Sequence, residues 1–221
     1  MSETRNVIIS IEGNIGSGKS TLLEKLIKKY SVSNPKKIIF LKEPVDEWEK
    51  IKDENGCTML EKFYSNQEKY SFPFQMMAYI SRLALLKKTI EENRNAIIIT
   101  ERSLSTDRHV FAKMLYDNGK IEHVNYQIYL NWFDTFSNDF HIETIIYVKT
   151  SPEICHKRIL KRSRIGEDVI PLEYLQSCNH YHDTMISLYE DTRVLLIDGN
   201  IDIHSDPEIL ESWLDRIDEI I

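Results

Sequence analysis

The sequence predicts a three-layer α/β fold, a five-stranded parallel sheet with helices on both faces, and two features predict it. Short runs rich in Ile and Val recur at Val7–Ile11, Ile38–Leu41, Ala96–Ile99, Thr144–Val148 and Val194–Ile197, separated by stretches long enough for helices. The runs are apolar throughout rather than alternating, which is the pattern of strands buried on both faces of a parallel sheet. With 221 residues, 42% hydrophobic and 29% charged, the chain has an ordinary globular composition and a length that fits one domain over residues 1–221.

The longest helical patterns are Phe72–Glu92, Ser103–Tyr116 and Glu122–Phe140. Another helix is expected to open at Pro171-Leu172-Glu173, where proline suits a first turn. The densest charge run, Arg158 to Asp168, interrupts a helix and reads as a mobile segment.

Several classes are excluded at this level. The N-terminal residues run directly into an apolar strand without a basic or Arg/Ser-rich leader, and no apolar run is long enough to span a bilayer. Cys57, Cys155 and Cys178 are odd in number and contain no Cys-x-x-Cys pair, which argues against a disulfide framework and a zinc site. A reducing cytoplasm is the expected compartment. A formal charge of -7 argues against sequence-independent binding to a nucleic-acid polymer, which needs clustered Lys and Arg.

Gly13-Asn14-Ile15-Gly16-Ser17-Gly18-Lys19-Ser20 matches G-x-x-x-x-G-K-[ST], follows the first strand and opens a helical pattern at Thr21. Both halves of the structural context for a phosphate loop are therefore present, which makes the fold P-loop NTPase-type. Backbone N–H groups of such a loop close on phosphate oxygens, Lys19 reaches the terminal phosphates and Ser20 is placed to ligate magnesium. A glycine-rich turn without a ligand is the bland alternative.

In an open α/β sheet the ligand lies beyond the carboxyl ends of the strands. The first three strands end in Glu12, Glu43 and Glu101. Glu12 is expected to cap or hydrogen-bond the phosphate loop. Glu43 and Glu101 stand where a second substrate would lie, one to accept the proton of an attacking hydroxyl and one to hold magnesium. Arg102 brings a guanidinium into the same crevice, where it can orient an oxygen or a phosphate.

Gln75 and Arg82 are seven apart on one helix face, among Phe74, Met76 and Leu83. They either meet solvent on an exposed helix face, where Arg82 makes a surface salt bridge, or are buried and need partners, such as a base edge, with Asp107 one turn after Ser103 a partner for Arg82. Arg158 and Arg162, four apart, with Arg164 just beyond, can close over a transferring phosphoryl group. His180 and His182, two apart, point different ways on a helix and read as surface or core histidines rather than a metal pair.

These segments together, with Glu43-Pro44-Val45, Trp48, Glu101-Arg102-Ser103, Asp107-Arg108 and Ile170 to Leu175, resemble the deoxynucleoside kinase family over most of the chain. The resemblance implies ATP-dependent phosphorylation of a deoxynucleoside 5′-hydroxyl with Mg2+, and a homodimer built through long helices. It further implies Glu43 as general base, Arg102 on the same oxygen and Glu101 helping to hold magnesium. Tyr64 and Glu167 would hold the 3′-hydroxyl. Gln75 would read the base edge, Phe74 and Phe111 would stack about the base, Trp48 would wall the sugar pocket, and the three arginines would form a lid. Arg82 and Asp107 resemble members acting on deoxycytidine or deoxypurines rather than thymidine, while Pro73 departs from the family segment and is expected to shift the start of its helix. A nucleoside monophosphate kinase is the competing enzyme, and a non-catalytic nucleotide-binding module the competing class. A GTPase lacks support, because there is no Asn/Thr-Lys-x-Asp segment to read guanine.

Overall fold

A computed structural model describes residues 5–32, 37–137, 139–163, 167, 169–189, 191–203 and 206–221. Five strands, β1 (Val7–Glu12), β2 (Ile38–Leu41), β3 (Ile97–Glu101), β4 (Thr144–Lys149) and β5 (Arg193–Asp198), form one parallel sheet in the order β2-β3-β1-β4-β5. All five apolar runs therefore become strands. Register pairs Ile9 with Ile99 on one side and with Thr144 on the other, so β1 occupies the centre. Its carboxyl end is where the two wings of the sheet meet, and the phosphate loop starts there.

Continuous apolar runs follow from this position, because successive side chains face opposite layers. Ile9, Ile11 and Ile99 join Leu22, Leu23 and Leu26 of α1 (Lys19–Val32) and Trp213 and Ile217 of α10 (Pro207–Asp218). Ile8 and Ile98 turn the other way, onto Tyr79 and Leu86 of α4 (Gln67–Glu92) and Tyr129 and Phe133 of α7 (His123–Phe136). The exception is β5, an edge strand whose Val194 and Leu196 remain exposed. The expectation of burial on both faces fails there because Val194 and Leu196 share a face that stays open to solvent, while Leu195 and Ile197 on the other face pack into the core.

Between β2 and α4 lie α2 (Val45–Trp48) and α3 (Met59–Ser65), the latter opened by a capping box of Thr58 and Glu61. The long helix starts at Gln67, five residues before the expected Phe72, so Pro73 does not mark its first turn. Asn66 accepts from the Lys69 N–H and starts α4 at Gln67, so Pro73 lies inside it, one turn beyond the first. There its missing N–H leaves the Lys69 carbonyl without its helical donor.

The expected helix Ser103–Tyr116 is three segments end to end: α5 (Leu104–Thr106), a π-helical turn (Asp107–Ala112) and α6 (Lys113–Asp117). The widened turn carries Asp107 and Phe111, both facing the cavity described below, and π-turns concentrate at functional sites. The helix expected to reach Phe140 ends at Phe136. Pro171 caps α9 (Leu172–Ser187) instead of entering its first turn. The charge run opens as α8 (Pro152–Arg162), closed by Ser163 in the left-handed region at φ 51°. Residues 164–166 and 168 of the expected mobile segment, Arg164 among them, lie outside the described residues.

Candidate active site

The phosphate loop closes because two glycines take conformations that leave no space for a Cβ. At Gly13, φ is +144° and a Cβ would stand 2.5 Å from the Val148 carbonyl; at Gly16, φ is +77° and it would stand 2.7 Å from the Cys155 carbonyl. Asn14 braces the loop, donating to the Leu175 carbonyl at 2.8 Å and accepting from the Ile15 N–H at 2.8 Å. Lys19 is buried and donates to the Asn14 carbonyl at 2.7 Å. Burial first, then the Arg102 charge, lowers its pKa to about 8, against the pull of Glu101 and Glu43.

Beside the loop, the Ser20 hydroxyl lies 2.5 Å from Oε1 of Glu101. Two hard oxygen donors meet there. Among the described residues no group of three or more His, Cys, Asp or Glu could hold a metal ion alone. A pair of hard oxygens fits a divalent cation such as magnesium, which binds through one or two protein oxygens and keeps phosphate and water as its other ligands.

The loop forms one end of a cavity of about 650 Å3, lined by Ile15 through Thr21 and by Glu101 and Arg102. Gly13 and Asn14 lie behind it, as loop framework. At the other end stand Glu43, Arg82 and Asp107. Arg82 is 6% exposed and fully engaged: Nε donates to Asp107 at 2.9 Å, Nη1 to the Glu101 carbonyl at 3.0 Å and Nη2 to Glu43 at 2.9 Å. The expected pairing of Arg82 with Asp107 is present, and Glu43 is a further partner. Arg102 reaches the same Glu43 oxygen through Nε at 3.3 Å.

Burial opposes ionisation of Glu43, but Arg102, Arg82 and Lys19 outweigh it and bring the carboxyl down to about 2. Burial pushes Asp107 up to about 6 against the pull of Arg82, so it stays ionised at neutral pH. Arg102 sits in the left-handed region at φ 65°, uncommon for a residue with a long side chain. Its Nη1 donates to the Gly13 carbonyl at 3.0 Å and its guanidinium lies 4.9 Å from the centre of the Phe111 ring. One side chain thus joins the phosphate loop to the carboxylate cluster.

Trp48, Tyr64, Phe74, Gln75 and Phe111 line the same end. Phe74 stacks on Phe63 at 4.5 Å and meets the edge of Trp48 at 5.8 Å; Trp48 donates to the Ser81 hydroxyl at 2.8 Å. Gln75 is 1% exposed, and its Oε1 has no hydrogen-bond partner among the described residues. An unmet buried acceptor facing a cavity is costly unless a ligand donates to it. Glu167 is buried and paired with Arg162. Burial, then Glu167, raises the pKa of Tyr64, so its phenol remains a donor.

Two placements differ from expectation. Glu12 does not bond the phosphate loop but accepts from the hydroxyls of Ser10 and Thr106, where it is fully buried at the head of β1. Arg158 lines the cavity but spends its donors on carbonyls, Ser17 at 3.2 Å, Gly199 at 2.8 Å and Ile201 at 3.3 Å. That contact exposes what sequence reasoning missed: the segment after β5, from Gly199 to Ile203, and Trp213 form the wall beyond the phosphate loop. No charge pattern marks that segment, and its role depends on β5 being placed beside β4.

A phosphate loop at one end of a cavity and a carboxylate held between arginines at the other describe a P-loop phosphotransferase that takes a second substrate beside its nucleotide. Similarity to known proteins narrows the class. Residues 9–221 match the deoxynucleoside kinase family profile. Thymidine kinase 2, mitochondrial, of Homo sapiens is 32% identical over 216 residues, covering 95% of this chain and 77% of that protein. A probable deoxycytidine kinase of fowlpox virus is 34% identical over 221 residues, covering 96% and 87%. Deoxycytidine kinase of Homo sapiens is 31% identical over 250 residues, covering 99% and 92%. The chain belongs to the deoxynucleoside kinase family and is an ATP-dependent phosphotransferase.

Lys19 yields a prediction for the nucleotide-free protein. A lysine whose folded pKa of about 8 lies below its ordinary 10.5 costs stability at every pH where the unfolded chain would keep the proton. The penalty is full below pH about 8 and fades as pH rises towards 10.5. Lys19→Met should therefore stabilise the empty protein at about pH 7, by on the order of 1–3 kcal/mol, while abolishing turnover. Thermal unfolding with pH checks this; a variant no more stable than wild type at neutral pH refutes it, and the gap should narrow above about pH 9.

Proposed function

We propose that this kinase transfers the γ-phosphate of ATP to the 5′-hydroxyl of a deoxynucleoside, within a single domain spanning residues 1–221, and prefers deoxycytidine or a deoxypurine to thymidine. The observation that carries the reading is Glu43, a carboxylate held ionised between Arg82 and Arg102 at the acceptor end of the cavity. A carboxyl with a pKa of about 2 is a weak base. In a loose phosphoryl-transfer transition state, however, the attacking oxygen has gained little bond order and still carries its proton. The placement of the acceptor then matters more than its basicity, and two guanidinium groups supply that placement.

Glu43 accepts the 5′-hydroxyl proton, and Arg102 donates to the same oxygen as it bonds to phosphorus. Lys19 and the loop N–H groups hold the phosphates, and Arg162, with Arg164 beyond it, meets charge on the transferring group. Arg158 anchors the phosphate loop to the Gly199–Ile203 segment, which lines the cavity beside it. Ser20 and Glu101 hold Mg2+, which when bound with ATP neutralises charge on the phosphate oxygens. Tyr64 and Glu167 bind the 3′-hydroxyl. The unmet Oε1 of Gln75 accepts from the base edge, between Phe74 and Phe111, with Trp48 against the sugar.

A homodimer is part of this reading. Along α7, Val124, Ile128, Trp132 and Phe136 are exposed at four-residue spacing, 52%, 42%, 46% and 46%, with Ile80 of α4 at 49%. A stripe of that kind is a protein–protein surface, and a second copy of the chain would cover it. Three free cysteines, two of them buried, agree with a reducing compartment such as the cytoplasm. No helix among the described residues is long and apolar enough to cross a membrane.

The reaction is tested by following product from Mg-ATP with deoxycytidine, deoxyadenosine, deoxyguanosine, thymidine, uridine and deoxycytidine monophosphate. Formation of 5′-monophosphates is expected; activity on the monophosphate alone would move the assignment to a nucleoside monophosphate kinase. Glu43→Gln should lower kcat by about 10²–10⁴ with a folded protein, and near-normal turnover would refute hydroxyl activation by Glu43. Arg82→Met with Asp107→Ala should raise the thymidine to deoxycytidine ratio of kcat/KM by roughly 10-fold, by removing a charged pair from the pocket wall. Absolute turnover should fall in that variant because Arg82 also holds Glu43, so the ratio is the readout, and an unchanged ratio removes the pair from base selection. Trp132→Lys should halve the mass measured by light scattering; a monomeric wild-type protein overturns the dimer.

A further inference from the structure

His182, read from the sequence as a core or surface histidine, is fully buried in α9, behind the cavity and against Arg102 and Phe111. Its Nδ1 lies 2.7 Å from the Cys178 carbonyl, one turn earlier in the helix. A carbonyl only accepts, so Nδ1 carries the proton. The remaining ring nitrogen, Nε2, lies 3.4 Å from Nη1 of Arg102, whose N–H groups only donate. The Gly13 carbonyl also stands beside the ring, but it already accepts from Nη1 of Arg102 at 3.0 Å, and two donors cannot face one another, so Nε2 presents its lone pair to that guanidinium.

The surroundings keep the ring in that state. Burial first, then the charge of Arg102, holds its pKa well below the usual histidine value, and Lys19 acts in the same direction against the Cys178 and Gly13 carbonyls. An imidazolium would place a second cation against Arg102. The Phe111 ring meets the imidazole edge-on at 6.1 Å, the same ring over which the Arg102 guanidinium lies. Arg102 is thereby held by four partners: Nη1 between the Gly13 carbonyl and His182, Nε against Glu43, and one face on Phe111. Its left-handed backbone requires such support, since a strained residue persists only where its surroundings over-determine it.

We propose that His182 is a positioning residue for phosphoryl transfer: its neutral Nδ1–H tautomer offers Nε2 to Arg102 and aims that guanidinium at the oxygen shared with Glu43. This rests on the reading of Arg102 as a group that touches the acceptor oxygen. Helix α9 then braces the site at two points, Asn14 through the Leu175 carbonyl and Arg102 through His182. The arrangement follows the logic by which a supporting hydrogen bond sets the geometry of a functional side chain.

The test compares His182→Gln, which keeps an acceptor near the Nε2 position, with His182→Leu, which keeps bulk and loses it. Leu is expected to lower kcat roughly 10-fold or more with KM for ATP and nucleoside changed by less than about 3-fold, and Gln to recover most of kcat. A merely structural role would depress stability in both variants without this split. In the background of Arg102→Lys, His182→Leu should cost little more, since the group it positions is gone. Wild-type kcat in His182→Leu, equal loss in Gln and Leu, or additive losses with Arg102→Lys overturn the proposal. Full activity in Arg102→Lys alone would instead sink the reading of Arg102, a separate outcome. If His182→Leu does not fold, 15N NMR of the wild-type ring decides: a protonated Nδ1 with bare Nε2 supports the proposal, and the Nε2–H tautomer overturns it.

Discussion

Arg82 is the side chain on which the acceptor end of this site depends, because it reaches from α4 to three other elements at once. It binds Asp107 on the π-helical turn, Glu43 beyond β2 and the carbonyl of Glu101 at the end of β3. Such a cluster is not an efficient way to stabilise a fold, since desolvating its charges offsets most of their attraction. Removing one member is a different matter and costs about 3–5 kcal/mol by leaving a buried charge uncompensated. What the cluster gains is orientation. With Asp107 on one side of Arg82 and Glu43 on the other, the carboxylate that faces the acceptor hydroxyl is fixed from behind, and Arg102 fixes it from the front.

Arg102 carries this constraint to the nucleotide end. Its backbone follows β3 directly, and its N–H bonds to the Ile11 carbonyl at 3.0 Å, so it sits beside the first strand as the phosphate loop begins. Its side chain then holds the Gly13 carbonyl and Glu43 together. The two substrates of the proposed reaction meet across a single guanidinium. This is consistent with phosphoryl transfer being mainly a matter of position and charge, in which the protein performs little covalent chemistry itself. It also explains how a chain with a formal charge of -7 can handle a polyphosphate: Lys19 and Arg102 act locally, at low exposure, where screening by solvent is weak.

Much of this was legible in the sequence for physical reasons. Short apolar runs without alternation, rich in Ile and Val, point to strands covered on both sides, and all five appear where they were expected, with β5 departing from the rule on one face. The phosphate loop is a local structure, made by consecutive residues, so its spacing alone identifies it. Glu43, Glu101 and Arg102 were found because a parallel sheet gathers whatever follows its strands onto one edge. The pairing of Arg82 with Asp107 followed from the expense of burying either alone.

Other features depended on contacts between distant segments. Nothing near Gly199 announces that it borders the phosphate loop, because that adjacency is set by β5 pairing with β4. Arg158 looked like a free lid cation until the carbonyls of Ser17, Gly199 and Ile201 were placed around it. His182 has no sequence motif, and its tautomer is set by one carbonyl on its own helix and one guanidinium 80 positions away. The sequence by itself determined the strands, the phosphate loop and the identity of the charged groups, since each depends on short-range periodicity or spacing. Only the tertiary structure decided which charges share a partner and which nitrogen of a buried ring carries its proton, because those are set by through-space electrostatics and packing.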